Sequence, residues 1–269
     1  MFLTENASSW VMSMGWCGER SAHHAAEGRG IMATIASKIQ EVSGRIARAC
    51  DAAGRPVASV TLLAVSKTFG ADTVREALAA GQTRFGENYV QEALDKMAAL
   101  ADVRARLEWH LIGPLQSNKT RAVAEAFDWV HSVDRLKIAQ RLSEQRPDAL
   151  PPLQVCLQVN VSGEASKSGL APDEVEEVAR AVATLPRLRL RGLMAIPEPA
   201  GDLSAQRRPH RALHELLERL QAGGLALDTL SMGMTADLEA AVLEGATLVR
   251  VGTAIFGGRS TGGNPRAAG

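Results

Sequence analysis

The sequence predicts an α/β chain built as a single (β/α)8 barrel with an additional N-terminal helix. Three observations carry that prediction. Eight short strand-like runs are spread along residues 61–257, and the first seven are each followed by a helical segment. The span 32–258 has about the length a barrel of this kind takes. An open doubly wound sheet is the rival, and no strand–GxGxxG–helix fingerprint is present to support it.

The elements follow in order. Residues 33–53 read as an amphipathic helix, because Ile35, Ile39, Val42, Ile46 and Ala49 share one face. TLLAVSK (61–67) is a short apolar run of the kind buried on both faces. A helix over Asp72–Ala80 ends at Gly81. RFGENY (84–89) is strand-like and precedes a helix to about Leu100. EWHLIG (108–113) precedes a helix from Asn118, and WVHSV (129–133) precedes one from Asp134. LQVCLQVNV (153–161) reads as the longest strand. A Gly/Ser loop then leads to Pro172, a first-turn residue for the helix to Thr184. LRLRGLMAI (188–196), a Pro-rich loop and a helix ending at Gly223–Gly224 come next. TLSMG (229–233) precedes a short helix over Asp237–Leu243, and LVRVGTAIFG (248–257) reads as the last strand. Residues 1–31 have no clear period and read as a poorly ordered extension. The barrel is assigned to 32–259 and a disordered tail to 260–269.

Composition narrows the function classes. Lys+Arg and Asp+Glu are 30 each, so net charge is zero and nothing points to nucleic acid or a membrane surface. No apolar run approaches the roughly 20 residues of a membrane helix. Cys17, Cys50 and Cys156 are few, odd in number and far apart, the usage of reduced thiols in a cytoplasmic protein rather than of a disulfide or zinc framework. His210 and His214 are i, i+4, but Arg211 stands where a metalloprotease helix has Glu, and Arg207, Arg208 and Arg211 suggest a solvated face. His23 and His24 read as tail residues, and no metal is expected.

Barrel chemistry sits at the C-terminal ends of the strands. Lys67 ends the first run and shares parity with Leu63 and Val65, so it faces inward if they do. A partly desolvated lysine forms a Schiff base with a carbonyl; a lysine at a strand end also snorkels to solvent. Lys119 and Lys167 follow strands too, so position alone does not select Lys67. Arg250 lies within the apolar run Leu248–Val251 and needs a partner, either a carboxylate on a neighbouring strand or an acceptor on a ligand. Ser231, Gly233, Thr235, Gly252 and Thr253 lie in the loops after strands seven and eight, where barrels bind phosphate; for Thr235 the ordinary alternative is an N-cap. His110 and His131 sit near strand ends, facing the pocket or hydrogen-bonded in the core. An amine, a phosphate cradle and an inward arginine together suit pyridoxal 5′-phosphate, which carries an aldehyde, a phosphate and a ring nitrogen.

Long segments extend this reading. LLAVSKTFGADTVREALAAGQTRFGENYVQEALDKM (62–97), HLIGPLQSNK (110–119), HSVD (131–134), VNVSGEASKSGL (159–170), RGLMAIP (191–197) and SMGMTADLEAAVLEGATLVRVGTAIFGGR (231–259) resemble, in order, the pyridoxal phosphate homeostasis protein family. The resemblance spans nearly all of 33–259. It implies a barrel similar to that of fold-type III alanine racemase. It also implies Lys67 holding the cofactor as an internal aldimine, Arg250 facing the pyridine nitrogen, and Thr235, Gly252 and Thr253, with Ser231 and Gly233, holding the phosphate. Asn88 would lie near the ring.

The racemases draw a second acid/base tyrosine from an added domain. The expectation here is that Tyr89, the single tyrosine, is spent in the second strand and that no such domain follows residue 259. A cationic arginine also keeps the pyridine nitrogen unprotonated, which weakens the electron sink. The expected role is therefore intracellular cofactor homeostasis by a monomer, with cofactor-free pyridoxal phosphate enzymes as recipients and without efficient catalysis. A racemase and a Schiff-base aldolase are the alternatives. Phe69–Gly70 replaces a Lys-Pro seen in many family members, and Ser-Thr-Gly-Gly-Asn-Pro (260–265) stands where basic residues often follow the final F-G-x-R, which places a second cofactor site in doubt although Lys167 remains.

Overall fold

The computed structural model describes residues 33–163 and 168–258. The readings of 1–31, of Lys167 and of 260–269 fall outside those residues.

Eight parallel strands close into a barrel in sequential order, β1 to β8. They are β1 (Thr61–Val65), β2 (Arg84–Glu87), β3 (Glu108–Leu111), β4 (Trp129–Val133), β5 (Leu153–Gln158), β6 (Leu188–Met194), β7 (Thr229–Ser231) and β8 (Leu248–Val251). The helices are α1 (Ile35–Ala52), α2 (Ala71–Ala79), α3 (Val90–Ala99), α4 (Thr120–Ala126), α5 (Leu136–Gln145), α6 (Val175–Ala183), α7 (Leu203–Ala222), α8 (Leu238–Leu243) and α9 (Thr253–Phe256). Thr34 caps α1 by accepting the Ser37 N–H, and the apolar face of that helix (Ile39, Val42, Ile46, Ala49) is buried.

Strand parity divides the core into two layers. Ala64, Phe85, Leu111, Val155 and Val249 point outward and pack with the helices in one large cluster. Leu63 and Val65 point the other way, meeting Ile112 and Leu248 in a separate interior cluster. Parallel pairing sets Leu63 opposite Arg250, so Arg250 shares the interior face. Two glycines leave room there. A Cβ on Gly86 would press on Leu63 and Ile112, and one on Gly192 would collide with the Thr229 carbonyl.

Four sequence expectations need correction. β6, with seven residues, is the longest strand, because β5 stops at Gln158. α6 starts at Val175, three residues beyond Pro172. The apolar run 248–257 is not one strand: it breaks at Gly252, and Thr253–Phe256 turn into α9, since Ala, Ile and Phe suit either element and the glycine ends the pairing. β2 ends at Glu87, so Tyr89 is the N-cap of α3 and its side chain is exposed rather than spent in the strand.

Candidate cofactor site

Register brings the expected residues to one mouth. Ala64 pairs with Val251 and Val65 with Gly86, so Lys67, Asn88 and Gly252–Thr253 all leave adjacent strands at their C-terminal ends. Contacts fix this arrangement: a Cβ on Gly252 would lie 3.1 Å from the Val65 carbonyl oxygen, and the rings of Phe69 and Phe256 pack 5.2 Å apart.

Lys67 is half-buried in the turn after β1, and among the described residues its amine has no hydrogen-bond or ion-pair partner. The backbone on either side is held firmly. Ser66 is buried; its hydroxyl donates to Glu87 and its carbonyl accepts from the Lys96 ammonium. Lys96 also pairs with Glu87 and Glu92, and Glu92 accepts the N–H of Thr68, whose φ of 69° is in the left-handed region. Burial pushes the Glu87 carboxyl up, and Lys96 and Ser66 pull it back. This clamp of Glu87, Glu92 and Lys96 was missed in the sequence. Its one local signal is the i, i+4 spacing of Glu92 and Lys96 on α3.

Arg250 is buried inside the barrel and no carboxylate hydrogen-bonds to it. Its NH1 donates to the Ser231 carbonyl and to Ser231 Oγ, and its NH2 donates to the Ala195 carbonyl. Those bonds occupy three of the five guanidinium donors, and the remainder are unspent among the described residues. Burial lowers its pKa to about 10, so it stays cationic at neutral pH.

Ser231 takes a different place from the one expected. Its hydroxyl lies in the barrel interior, 2.7 Å from both Arg250 NH1 and His131 Nδ1, and is committed there rather than to a phosphate loop. His131 Nε2 lies 2.9 Å from His110 Nδ1, and His110 Nε2 lies 2.8 Å from Glu108 Oε1. Both imidazoles are fully buried, and burial holds both below their ordinary pKa. That fixes every proton. Glu108, held ionised by His110 and Arg84, only accepts, so His110 carries its proton on Nε2. His110 Nδ1 then accepts from His131 Nε2–H, and His131 Nδ1 accepts from the Ser231 hydroxyl. A single directed chain therefore runs through the barrel from Arg250 to Glu108. His110 and His131 are thus hydrogen-bonded core histidines.

The loops after β7 and β8 retain the features of an anion cradle. Gly233 has φ 87°, and a Cβ on it would lie 2.4 Å from the Ala241 Cβ, so no other residue fits. Thr235 is half-buried and makes no capping bond; α8 begins after Asp237, whose carboxylate accepts the Met234 N–H instead. Thr253 is exposed at the first turn of α9, whose leading N–H groups have no intrahelical acceptor. Asn88 lines a cavity of about 300 Å³ at this mouth, bounded also by Ile112, Gly113 and Ile196. Its Oδ1 is buried without a partner, an acceptor left for a ligand. Lys67 and the two loops stand outside the lining of that cavity.

Other candidates resolve structurally. His210 is buried and bonded to Asp237 Oδ2 at 3.0 Å; Arg208 and Arg211 are exposed, as a solvated face requires, and Arg207 and Arg211 pair with Glu244. Lys119 is exposed. Among the described residues no His, Cys, Asp and Glu cluster could hold a metal, and no helix is long and apolar enough to cross a membrane.

Residues 40–260 match the family model of the alanine racemase N-terminal domain. The chain is 65% identical over 231 residues to a pyridoxal phosphate homeostasis protein of Pseudomonas aeruginosa, covering 86% of this chain and 98% of that protein. It is 52% identical over 229 residues to one of Escherichia coli, covering 85% and 98%. PipY of Synechococcus elongatus, solved with PLP bound, superposes with TM-score 0.73 at 38% identity, covering 83% of this chain and all of that one. Alanine racemase of Corynebacterium glutamicum shares the fold alone, with TM-score 0.58 at 19% identity, over 84% of this chain and 63% of that one.

Proposed function

The chain belongs to the pyridoxal phosphate homeostasis protein family, and from that premise we propose that it binds pyridoxal 5′-phosphate at the C-terminal mouth of the barrel, through Lys67, and maintains the intracellular pool of that cofactor. The observation that carries the reading is an unpartnered, half-buried Lys67 amine together with a buried Arg250 to which no carboxylate hydrogen-bonds, at strands that are neighbours in the barrel.

The bound cofactor supplies an aldehyde for reversible attachment to an amine and a ring that withdraws electrons. The residues determine how it is held. The Glu87–Lys96–Glu92 clamp holds the backbone on either side of Lys67 at Ser66 and Thr68. Gly233 and Gly252 let the backbone come close, and Thr235 and Thr253 offer hydroxyls to a phosphate. Arg250 would offer its unspent donors to the ring nitrogen, where a fixed cation would disfavour a proton. An unprotonated ring is a poor electron sink, which favours holding over turnover. This argument does not depend on Tyr89, whose exposed position leaves a phenol beside the mouth. The same reading has the protein act as a cytoplasmic monomer that passes cofactor to cofactor-free enzymes. The buried free thiols Cys50 and Cys156, the latter pushed up to about 12 by burial, support a reducing compartment.

The test is the visible absorption spectrum of the protein loaded with pyridoxal 5′-phosphate, beside Lys67→Ala. A yellow band in the parent that is missing from the variant is expected. A parent that stays colourless, or a variant that keeps the band, overturns the assignment.

A further inference from the structure

A second cavity lies at the opposite end of the barrel from Lys67. It measures about 970 Å³ and opens among the N-terminal ends of the strands, where Thr61, Arg84, Glu108, Trp129 and Leu248 begin β1, β2, β3, β4 and β8. Such a volume suits a small organic ligand.

Its wall carries six arginines, Arg84, Arg104, Arg106, Arg146, Arg189 and Arg191, against three carboxylates. The carboxylates are already engaged. Glu108 takes Arg84 and His110; Asp128 takes both oxygens to Arg104 and accepts the Trp109 N–H; Asp228 pairs both oxygens with Arg191. Three arginines remain. Arg146 is buried and donates only to the carbonyls of Ala124, Phe127 and Pro151, which orient the guanidinium, and Asp128 acts on its charge only through space. Arg106 and Arg189 are exposed and have no hydrogen-bond or ion-pair partner among the described residues. A chain of zero net charge thus sets six arginines against three carboxylates on one concave wall. The floor is aromatic: Trp129 stacks on His110 at 5.3 Å, and the Arg191 guanidinium lies 4.8 Å from the Trp129 ring centroid.

We propose that this arginine-lined cup is a second binding site, for a small, multiply charged anion bearing phosphate or carboxylate groups. Guanidinium forks match the oxygens of either group and hold them by paired hydrogen bonds. An excess of oriented positive charge is what such a ligand requires, and the exposed pair Arg106 and Arg189 forms its entrance. The cup is also in hydrogen-bond continuity with the other mouth, since Glu108 lines it and heads the chain that ends on Arg250.

The test is a calorimetric titration of the cofactor-loaded protein with inorganic pyrophosphate at near-physiological salt. Loading keeps the probe out of the mouth that holds Lys67. The expected result is saturable one-to-one binding that weakens by about tenfold or more in Arg106→Ala/Arg189→Ala, while the visible cofactor band is unchanged. Both substitutions are at exposed side chains, so the fold is retained. No saturable binding, or equal affinity in the double variant, overturns the inference. The cofactor reading stands or falls separately, on the colour of the Lys67 variant.

Discussion

Ser231→Ala removes one oxygen from the centre of the directed chain. That oxygen lies 2.7 Å from Arg250 NH1 and 2.7 Å from His131 Nδ1, in a region with no exposure. Two losses follow. His131 Nδ1 becomes a buried acceptor with no donor, at about 1–3 kcal/mol. Arg250 loses one charge-assisted bond worth about 1.5–3 kcal/mol, though its bonds to the Ser231 and Ala195 carbonyls remain. Only one oxygen atom is deleted, so the cavity contribution is small. The expected cost is about 3–5 kcal/mol in urea unfolding of the cofactor-free protein, with the urea dependence unchanged. Imidazole-nitrogen NMR supplies the second readout: the parent carries protons on Nε2 of both His110 and His131, and in the variant the His131 pattern is no longer fixed by Ser231. A stability loss below about 0.5 kcal/mol, or a parent with the proton on His131 Nδ1, would refute the chain as described.

Other perturbations test the rest of the account. Lys96→Met leaves Glu87 buried without its ammonium and costs about 3–5 kcal/mol near neutral pH. Glu87 then has a folded pKa above its unfolded one, so the deficit shrinks as pH falls toward about 4 and grows as pH rises; unfolding curves at the two pH values check the sign. His110 and His131 are depressed in the folded state, so their stabilisation is complete above the unfolded imidazole pKa and is lost as pH falls below it. The loss approaches about 1.4 kcal/mol per pH unit for each histidine, and His131→Asn flattens the slope measured between about pH 7 and 5. Gly233→Ala places a methyl 2.4 Å from the Ala241 Cβ at a positive φ and costs about 2–4 kcal/mol by thermal or urea unfolding, with weaker cofactor binding.

The sequence carried the architecture because strand–helix alternation is a local signal repeated along the chain. It failed where the decision was tertiary. Thr253–Phe256 contain no residue that forbids a strand, and only the end of pairing at Gly252 makes them helical. Arg250 stood out because a charge inside an apolar run needs a partner, whereas position alone did not separate Lys67 from Lys119 and Lys167. The conductor between the barrel's two ends was not legible. Glu108, His110, His131, Ser231 and Arg250 come from four strands, and only barrel closure places them in line. Parity puts His110, His131 and Ser231 inside, but polar residues on one strand face read as ordinary alternation until the barrel shows that this face is the interior. The arginine cup was hidden likewise, since its arginines are scattered from residue 84 to residue 191 and the whole chain sums to zero charge.

The central claim is that one particular lysine carries the cofactor. Borohydride reduction of the loaded protein, followed by mass mapping of its peptides, tests it most directly. The account predicts a single reduced pyridoxyl adduct on Lys67, with Lys96 and Lys119 unmodified. An adduct on another lysine with Lys67 unmodified, or no adduct at all, would contradict it.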